Sequence, residues 1–192
     1  MKVLDLGSAG DPGFEAQIAK LAHTSPAACY ACGKCSAGCP LAYEMDYQPH
    51  QVLRLVQLGL KDEALSCSTI WLCASCITCS TRCPREVDIA QVMDTLRAMA
   101  RTEGVRAALP KVPKFYSSFL DRVQAGGRLH ELSMTILYKL RSGDLFSDLD
   151  LGIKMVLRGK LKPLPPRIQG RDQVRQIFRR VAEAERREEA AR

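Results

Sequence analysis

Apolar residues recur at helical spacing along most of this chain and nowhere alternate as a half-buried strand would. Phe14, Ile18 and Leu21 share one face of a first helix, which Asp11-Pro12 can cap because proline is favoured at the first helical position. Pro49 followed by Val52, Leu53, Leu55, Val56 and Leu58, with Gly59 as a stop, predicts a second helix. Lys61 to Leu65 reads as a short third. Asp88 can cap a longer helix that carries Ile89, Val92, Met93, Leu96 and Met99 on one face.

Beyond residue 104 the punctuation changes. Pro110 and Pro113 break the segment from Val105 to Pro113, and a division into residues 1–108 and a helical extension at 109–192 is expected there. The extension reads as helix over Lys114 to Gln124 before Gly126-Gly127, over Arg128 to Leu140 before Gly143, and over Asp148 to Leu157 with Ser147 as cap. Lys162 to Arg167, with Pro163, Pro165 and Pro166, reads as an extended polyproline-like linker. A charged helix from about Asp172 to the end carries Val174, Ile177, Phe178 and Val181 as a narrow apolar stripe. The expected class is all-α.

A chain of 192 residues can bury a core without disulfides. No apolar run approaches the roughly 18 residues of a membrane span, and Met1 to Leu6 lack the apolar stretch of a secretory signal, so the expected compartment is the cytoplasm. In that reducing setting nine cysteines point to metal ligation or redox chemistry rather than to pairing. Residues 1–103 hold 9 Lys and Arg against 11 Asp and Glu, −2, whereas residues 104–192 hold 19 against 10, +9. A basic half raises the question of nucleic acid or an anionic membrane surface. Two oxidised cubane clusters with their thiolates would add about −4 and bring the total of +7 near +3, which argues against nucleic acid.

Eight of the nine cysteines fall in two runs of identical spacing. The first is Cys29-x2-Cys32-x2-Cys35-x3-Cys39-Pro40 and the second is Cys73-x2-Cys76-x2-Cys79-x3-Cys83-Pro84. Both match the bacterial two-cluster ferredoxin pattern, in which three thiolates at intervals of three wrap three iron corners of a cubane while the fourth, before Pro, ligates the other cluster. The expected ligand sets are therefore Cys29, Cys32, Cys35 and Cys83 for cluster 1, and Cys73, Cys76, Cys79 and Cys39 for cluster 2. Exchange of the fourth ligands would tie the two halves together and hold two 4Fe–4S clusters close enough to pass electrons. Structural zinc also takes four thiolates, but zinc sites use paired cysteines rather than a triple-plus-one followed by proline, twice.

Around the runs, Lys34, Arg82 and Arg85 would favour the reduced clusters. Gly33 and Gly38 would turn backbone N–H groups to sulfur, and Ser75, Thr78 and Ser80 could donate hydroxyls in the second run. Tyr30, Ile70, Trp71 and Ile77 are expected to exclude water. Cys67 reads as a small buried apolar residue, and His23, His50 and His130 as scattered surface or core histidines. Gly7-x2-Gly10-x2-Gly13 follows no strand and reads as a flexible lead into the first helix rather than a phosphate loop. No catalytic residue and no substrate pocket is expected in this chain.

The 33 residues from Pro40 to Leu72 between the runs read as helix, unlike the short hairpins of compact ferredoxins, and point to an α-helical ferredoxin domain. With Ile70-Trp71-Leu72-Cys73, Pro113-Lys114-Phe115-Tyr116 and the segment from Gly143 to Gly152, the chain resembles the C-type component of heterodisulfide reductase over nearly its whole length. The resemblance implies an oxidoreductase complex in which this component relays electrons from an A-type subunit with flavin and clusters, whose flavin can bifurcate electron pairs in that family, to a catalytic B-type subunit that reduces a disulfide. The cysteine motifs alone are shared with iron–sulfur subunits of quinone-linked dehydrogenases and membrane-bound reductases, the competing redox reading. A non-redox zinc-binding adaptor is the competing reading outside it. The extension, which supplies no ligand, is expected to act as a partner-docking arm.

Overall fold

The computed structural model describes residues 10–145, 147, 149–160, 164 and 168–190, and among these every regular element is helical. The chain divides into two units, residues 1–110 and 111–192.

The first unit is built around α7, Ile89–Thr102. Asp88 accepts the Gln91 N–H and so satisfies one of the orphan donors of the first turn. Ile89, Val92, Met93, Leu96 and Met99 are all buried, each contributing roughly 1.5–3 kcal/mol over leaving it in water. Around α7 pack α1 (Phe14–Ala22), α3 (Pro49–Gln57), α4 (Lys61–Ser66) and two one-turn helices, α5 (Thr69–Leu72) and α6 (Thr78–Thr81). A matching one-turn helix, α2 (Lys34–Ala37), packs on α6, and a short 3-10 turn, Pro26–Ala28, precedes the first cysteine.

Two expectations for the N-terminal segment change. Gly13, not Asp11, stands at the cap of α1; the Asp11 carboxylate instead accepts the Gly13 N–H at 2.8 Å. Phe14, Ile18 and Ala22 form the buried stripe, four residues apart, while Leu21 is exposed. The glycine-rich stretch is also pinned rather than loose over its described part. Asp11 N–H donates to the Gly59 carbonyl at 2.9 Å, and Gly59, at φ +70, leaves no room for a Cβ, which would lie 2.5 Å from the Asp11 carbonyl oxygen. Gly7 lies outside the described residues.

The second unit holds α8 (Lys111–Gly126), α9 (Glu131–Ser142), α10 (Leu149–Leu157) and α11 (Arg171–Ala190). α8 and α9 form a hairpin in which Phe115 meets Tyr138 edge to face at 5.6 Å, and Arg141 pairs with Asp121 at 2.7 Å. Pro113 falls inside the first turn of α8, where its missing N–H costs nothing. Gly143, at φ +77, ends α9 in the left-handed conformation. Of the expected proline-rich linker only Leu164 is described; Asp148, expected in α10, lies outside the described residues.

Candidate cluster-binding site

Each position of the second run lies 44 residues after its counterpart in the first, as Cys73 follows Cys29, and the backbone repeats with it. Ala31 and Gly33 have φ of 58° and 76°; their counterparts Ser75 and Ile77 have 49° and 55°. Left-handed residues two apart turn successive N–H groups to the inside of the loop, the geometry of an anion-binding nest. The Ala31 N–H accordingly donates to Cys29 Sγ at 3.4 Å, and the Ser75 N–H works on the Cys73 thiol in the same way. Glycine is at ease at such an angle; a β-branched isoleucine is not, and Ile77 stores strain that persists only where its surroundings impose it. Each loop then closes into its one-turn helix, α2 or α6, which carries the third cysteine and ends two residues before the fourth.

The fourth cysteines cross over. Cys39, from the first run, lines one recess with Cys73, Cys76 and Cys79 of the second, walled by Pro40, Leu41, Ile89 and Met93. On the other side, the Tyr30 phenol is pushed up by desolvation and by the neighbouring thiols of Cys32 and Cys83, so Cys83 stands beside the first run. Cys83 Sγ also accepts the Val87 N–H at 3.4 Å. Burial pushes the Cys35 and Cys73 thiols up, with Cys29 adding to the first and Cys39 to the second. Cys79 is pushed up to about 11, chiefly by burial and further by Cys73. Cys76 runs the other way: the Thr78 hydroxyl, 3.5 Å from its sulfur, holds it below the ordinary thiol range.

Gly38 and Arg82 occupy equivalent places in the two runs, each just before a fourth cysteine, and they touch. A Cβ on Gly38 would lie 2.5 Å from an Arg82 guanidinium nitrogen and 2.9 Å from its Cδ. Where counterparts of a repeat meet, only one can carry a long side chain. Gly38 has an ordinary φ of −101°, so its part is to leave room for Arg82, not to aim an N–H at sulfur as expected.

The second loop is held from α7. Arg97 donates through Nε to the Ile70 carbonyl at 2.7 Å and through its terminal nitrogens to the Cys73 carbonyl at 2.8 Å and to Asp94 at 3.1 Å. Asp94 accepts the Ser75 hydroxyl at 2.8 Å, and Asp88 the Ser80 hydroxyl at 2.6 Å. Of the three hydroxyls expected at sulfur, Thr78 stands at Cys76 and Ser80 acts on the Cys79 thiol while also engaging Asp88; only the Ser75 hydroxyl is turned away, to Asp94 on α7. The first loop is held from α3, where His50 Nδ1 and the Ser36 hydroxyl lie 2.7 Å apart. His50, expected only as a surface or core histidine, is thus tied to the residue after Cys35.

The loop between the runs is fastened by Asp46. Its carboxylate accepts the Ser68 and Thr69 N–H groups at 2.6 and 3.0 Å and the Thr69 hydroxyl at 2.7 Å. Burial by itself would raise this carboxyl, but these donors outweigh it and hold it below the usual range. Arg97, Asp94 and Asp46 escaped the sequence reading. An arginine and aspartate three apart in a helix, and an aspartate just upstream of a helix, were the only signals available.

Among the apolar neighbours Ile70 and Trp71 are buried, whereas Tyr30 and Ile77 are 61% and 58% exposed and cannot shut out water as expected. The Trp71 indole N–H is buried with no acceptor among the described residues. Cys67 is buried at the end of α4, donates to the Ala64 carbonyl at 3.2 Å, and is pushed up to about 11 by burial. Among the described residues, no group of three His, Cys, Asp or Glu side chains surrounds a single-ion point. Four sulfurs instead border a recess. Zinc would need four donors within about 2.3 Å of one point, whereas a cubane spreads four thiolates over four irons, so the donor set fits a cluster. No helix among the described residues is long and apolar enough to cross a membrane.

Residues 28–88 match the 4Fe-4S dicluster domain family. Over 136 residues the chain is 31% identical to the C-type component of the H(2):CoB-CoM heterodisulfide,ferredoxin reductase of Methanothermobacter marburgensis, covering 70% of this chain and 71% of the relative. Over 106 residues it is 41% identical to the second C-type iron-sulfur component of the CoB--CoM heterodisulfide reductase of Methanocaldococcus jannaschii, covering 55% and 56%.

Proposed function

Because the chain belongs to the family of C-type heterodisulfide reductase components, we propose that it relays electrons through two 4Fe–4S clusters, from an A-type subunit with flavin and clusters to a catalytic B-type subunit of one complex. The observation that carries this reading is the recess lined by Cys39 together with Cys73, Cys76 and Cys79. It supports cluster 2 on those four sulfurs and, with Cys83 acting on Tyr30 of the first run as Cys32 does, cluster 1 on Cys29, Cys32, Cys35 and Cys83. When bound, the clusters supply one-electron carriage.

The chain's own residues do the rest. Nests at Ala31–Gly33 and Ser75–Ile77 present N–H groups to charged sulfur. Thr78 keeps Cys76 inclined to ionise, and ionised thiols are the ligating form. The unpaired indole N–H of Trp71, two residues before Cys73, is a donor still lacking an acceptor, as a residue next to cluster sulfur would be. Cys32 and Cys76, the second cysteine of each run, are the exposed ones, so each cluster would have one edge reachable by a partner. No substrate chemistry is assigned to this chain; disulfide reduction would fall to the B-type subunit.

Anaerobic reconstitution followed by metal and sulfide analysis tests the proposal. About eight iron and eight acid-labile sulfide per chain are expected from two complete ligand sets. Four of each would remove one cluster, and colourless protein carrying zinc would overturn the electron relay altogether. Purification of the native complex, with identification of the chains that accompany this one, tests the partners.

A further inference from the structure

The unit from Lys111 onward is poorly covered. Among its described residues Met134 is the one apolar side chain in the buried class, beside Ser118 and His130. Leu140, Leu151, Ile153, Leu157, Ile177 and Val181 are each more than half exposed. Helices in water owe most of their stability to packing of an apolar face, and exposed apolar surface of this extent marks contact with another macromolecule.

The polar groups of the unit say what chemistry that macromolecule brings. Residues 111–192 hold 18 Lys and Arg against 10 Asp and Glu, leaving +8. Between α8 and α11, Arg122, Arg175 and Arg179 line a hollow with Asp121, Gln124 and Ala125. The acceptors at hand are spent or distant. Asp121 is engaged by Arg141 at 2.7 Å, the Ala125 carbonyl takes Arg171 at 2.7 Å and Arg175 at 3.3 Å, and Asp172 comes no nearer to Arg175 than 4.0 Å. Among the described residues Arg122 Nε is buried with no acceptor and Arg179 has no partner. Buried donors are almost always paired, so an acceptor is missing. Guanidinium forks take carboxylates bidentately. A small anion would leave the apolar side chains bare, and nucleic acid offers phosphate but no aliphatic cover.

We infer that the hollow between α8 and α11 receives the carboxylates of an acidic segment of a partner subunit docked on this extension. The inference rests on reading the chain as a subunit of a multi-protein assembly, and makes the extension the arm that holds it there. It assigns Arg175 and Arg179 to partner recognition, with Arg122 completing the site from α8.

The test compares three forms, all reconstituted with clusters: wild type, Arg175→Glu with Arg179→Glu, and Arg180→Glu with Arg187→Glu. The last pair changes net charge equally but lies about a third of a turn around α11 from the first, on a different face. Association with separately produced A-type and B-type subunits is followed at low and high salt, with poly-uridine RNA and anionic vesicles as further probes. Expected is a fall of about tenfold or more in association rate at low salt for the 175/179 variant, with a flatter salt dependence, while iron and sulfide stay at wild-type levels and the 180/187 variant associates nearly normally. Equal loss in both variants would reduce the effect to net charge and overturn the site. So would unchanged association of the 175/179 variant, or wild-type binding to RNA or vesicles in preference to either subunit. Wild type that binds neither subunit would overturn the reading as part of a complex and this inference with it, a result separable from failure of the hollow alone.

Discussion

Arg97→Met cuts the clamp between α7 and the second cysteine loop while keeping an apolar stem of similar length. The side chain is 17% exposed and makes two hydrogen bonds to carbonyls, Ile70 at 2.7 Å and Cys73 at 2.8 Å. Charge-assisted bonds of this kind contribute ~1.5–3 kcal/mol each. The ion pair to Asp94 is partly exposed on the carboxylate side and adds less than about 1 kcal/mol. The freed carbonyls can regain water at the loop edge and methionine retains much of the packing, so a net loss of about 2–4 kcal/mol is expected, concentrated in the segment from Ile70 to Ser75. At tenfold per 1.4 kcal/mol, local opening becomes about 30- to 1,000-fold more frequent. The assay is anaerobic iron release to a chelator. Wild type should lose its iron slowly, whereas the variant should lose about half in a fast phase, from the cluster of the second run, and the rest at the wild-type rate. A single phase that releases all the iron together, or an unchanged rate, would refute the view that Arg97 secures one loop and not both.

Cys83→Ser should damage the cluster held by the first run and Cys39→Ser the cluster held by the second, read by spectroscopy of the reduced protein; damage confined to the mutated run would refute the crossed ligation. Cys67→Ala should leave both cluster spectra unchanged and cost about 1–2 kcal/mol, from one small buried side chain and its bond to Ala64, measured by thermal stability; loss of a cluster would make Cys67 a ligand. The folded Asp46 carboxyl lies below its unfolded value, so its contribution is complete above the unfolded pKa of about 3.9 and is lost as pH falls through the folded value. Amide exchange of the peptide containing Ser68 and Thr69, corrected for the intrinsic rate, should lose protection in that acid range in wild type; Asp46→Asn should begin less protected and show no such step, and identical profiles would refute the capping role. Gly38→Ala should displace Arg82 and lower the stability of the holoprotein by about 1–3 kcal/mol, an effect that Arg82→Ala in the same chain should relieve.

The helices of the first unit were legible because their signals are local: the apolar spacing of Ile89 to Met99, Asp88 as a cap, and Gly59 at φ +70 as a stop. The one-turn helices α2 and α6 were not. Four residues are too few for periodicity to register, and their conformation follows from the cysteine loops they close. Leu21 and Ala22 traded places because an apolar residue at helical spacing does not say which of two neighbours meets the core.

The sequence by itself determined the chemistry. Two runs with one spacing point to iron–sulfur chemistry and supply the ligand sets proposed above, since the reach of successive thiolates around a cubane is a property of adjacent backbone. Tertiary structure alone decided how the loops are held and what surrounds them. Asp46 meets Ser68 and Thr69 more than twenty residues away, Arg97 meets Cys73, Arg82 lies on Gly38, and Arg122 shares a hollow with Arg175 and Arg179. Each of these pairings depends on the relative placement of separate elements, and a hydrogen bond or a close approach exists only when that placement brings two groups within a few ångströms, which no local pattern encodes.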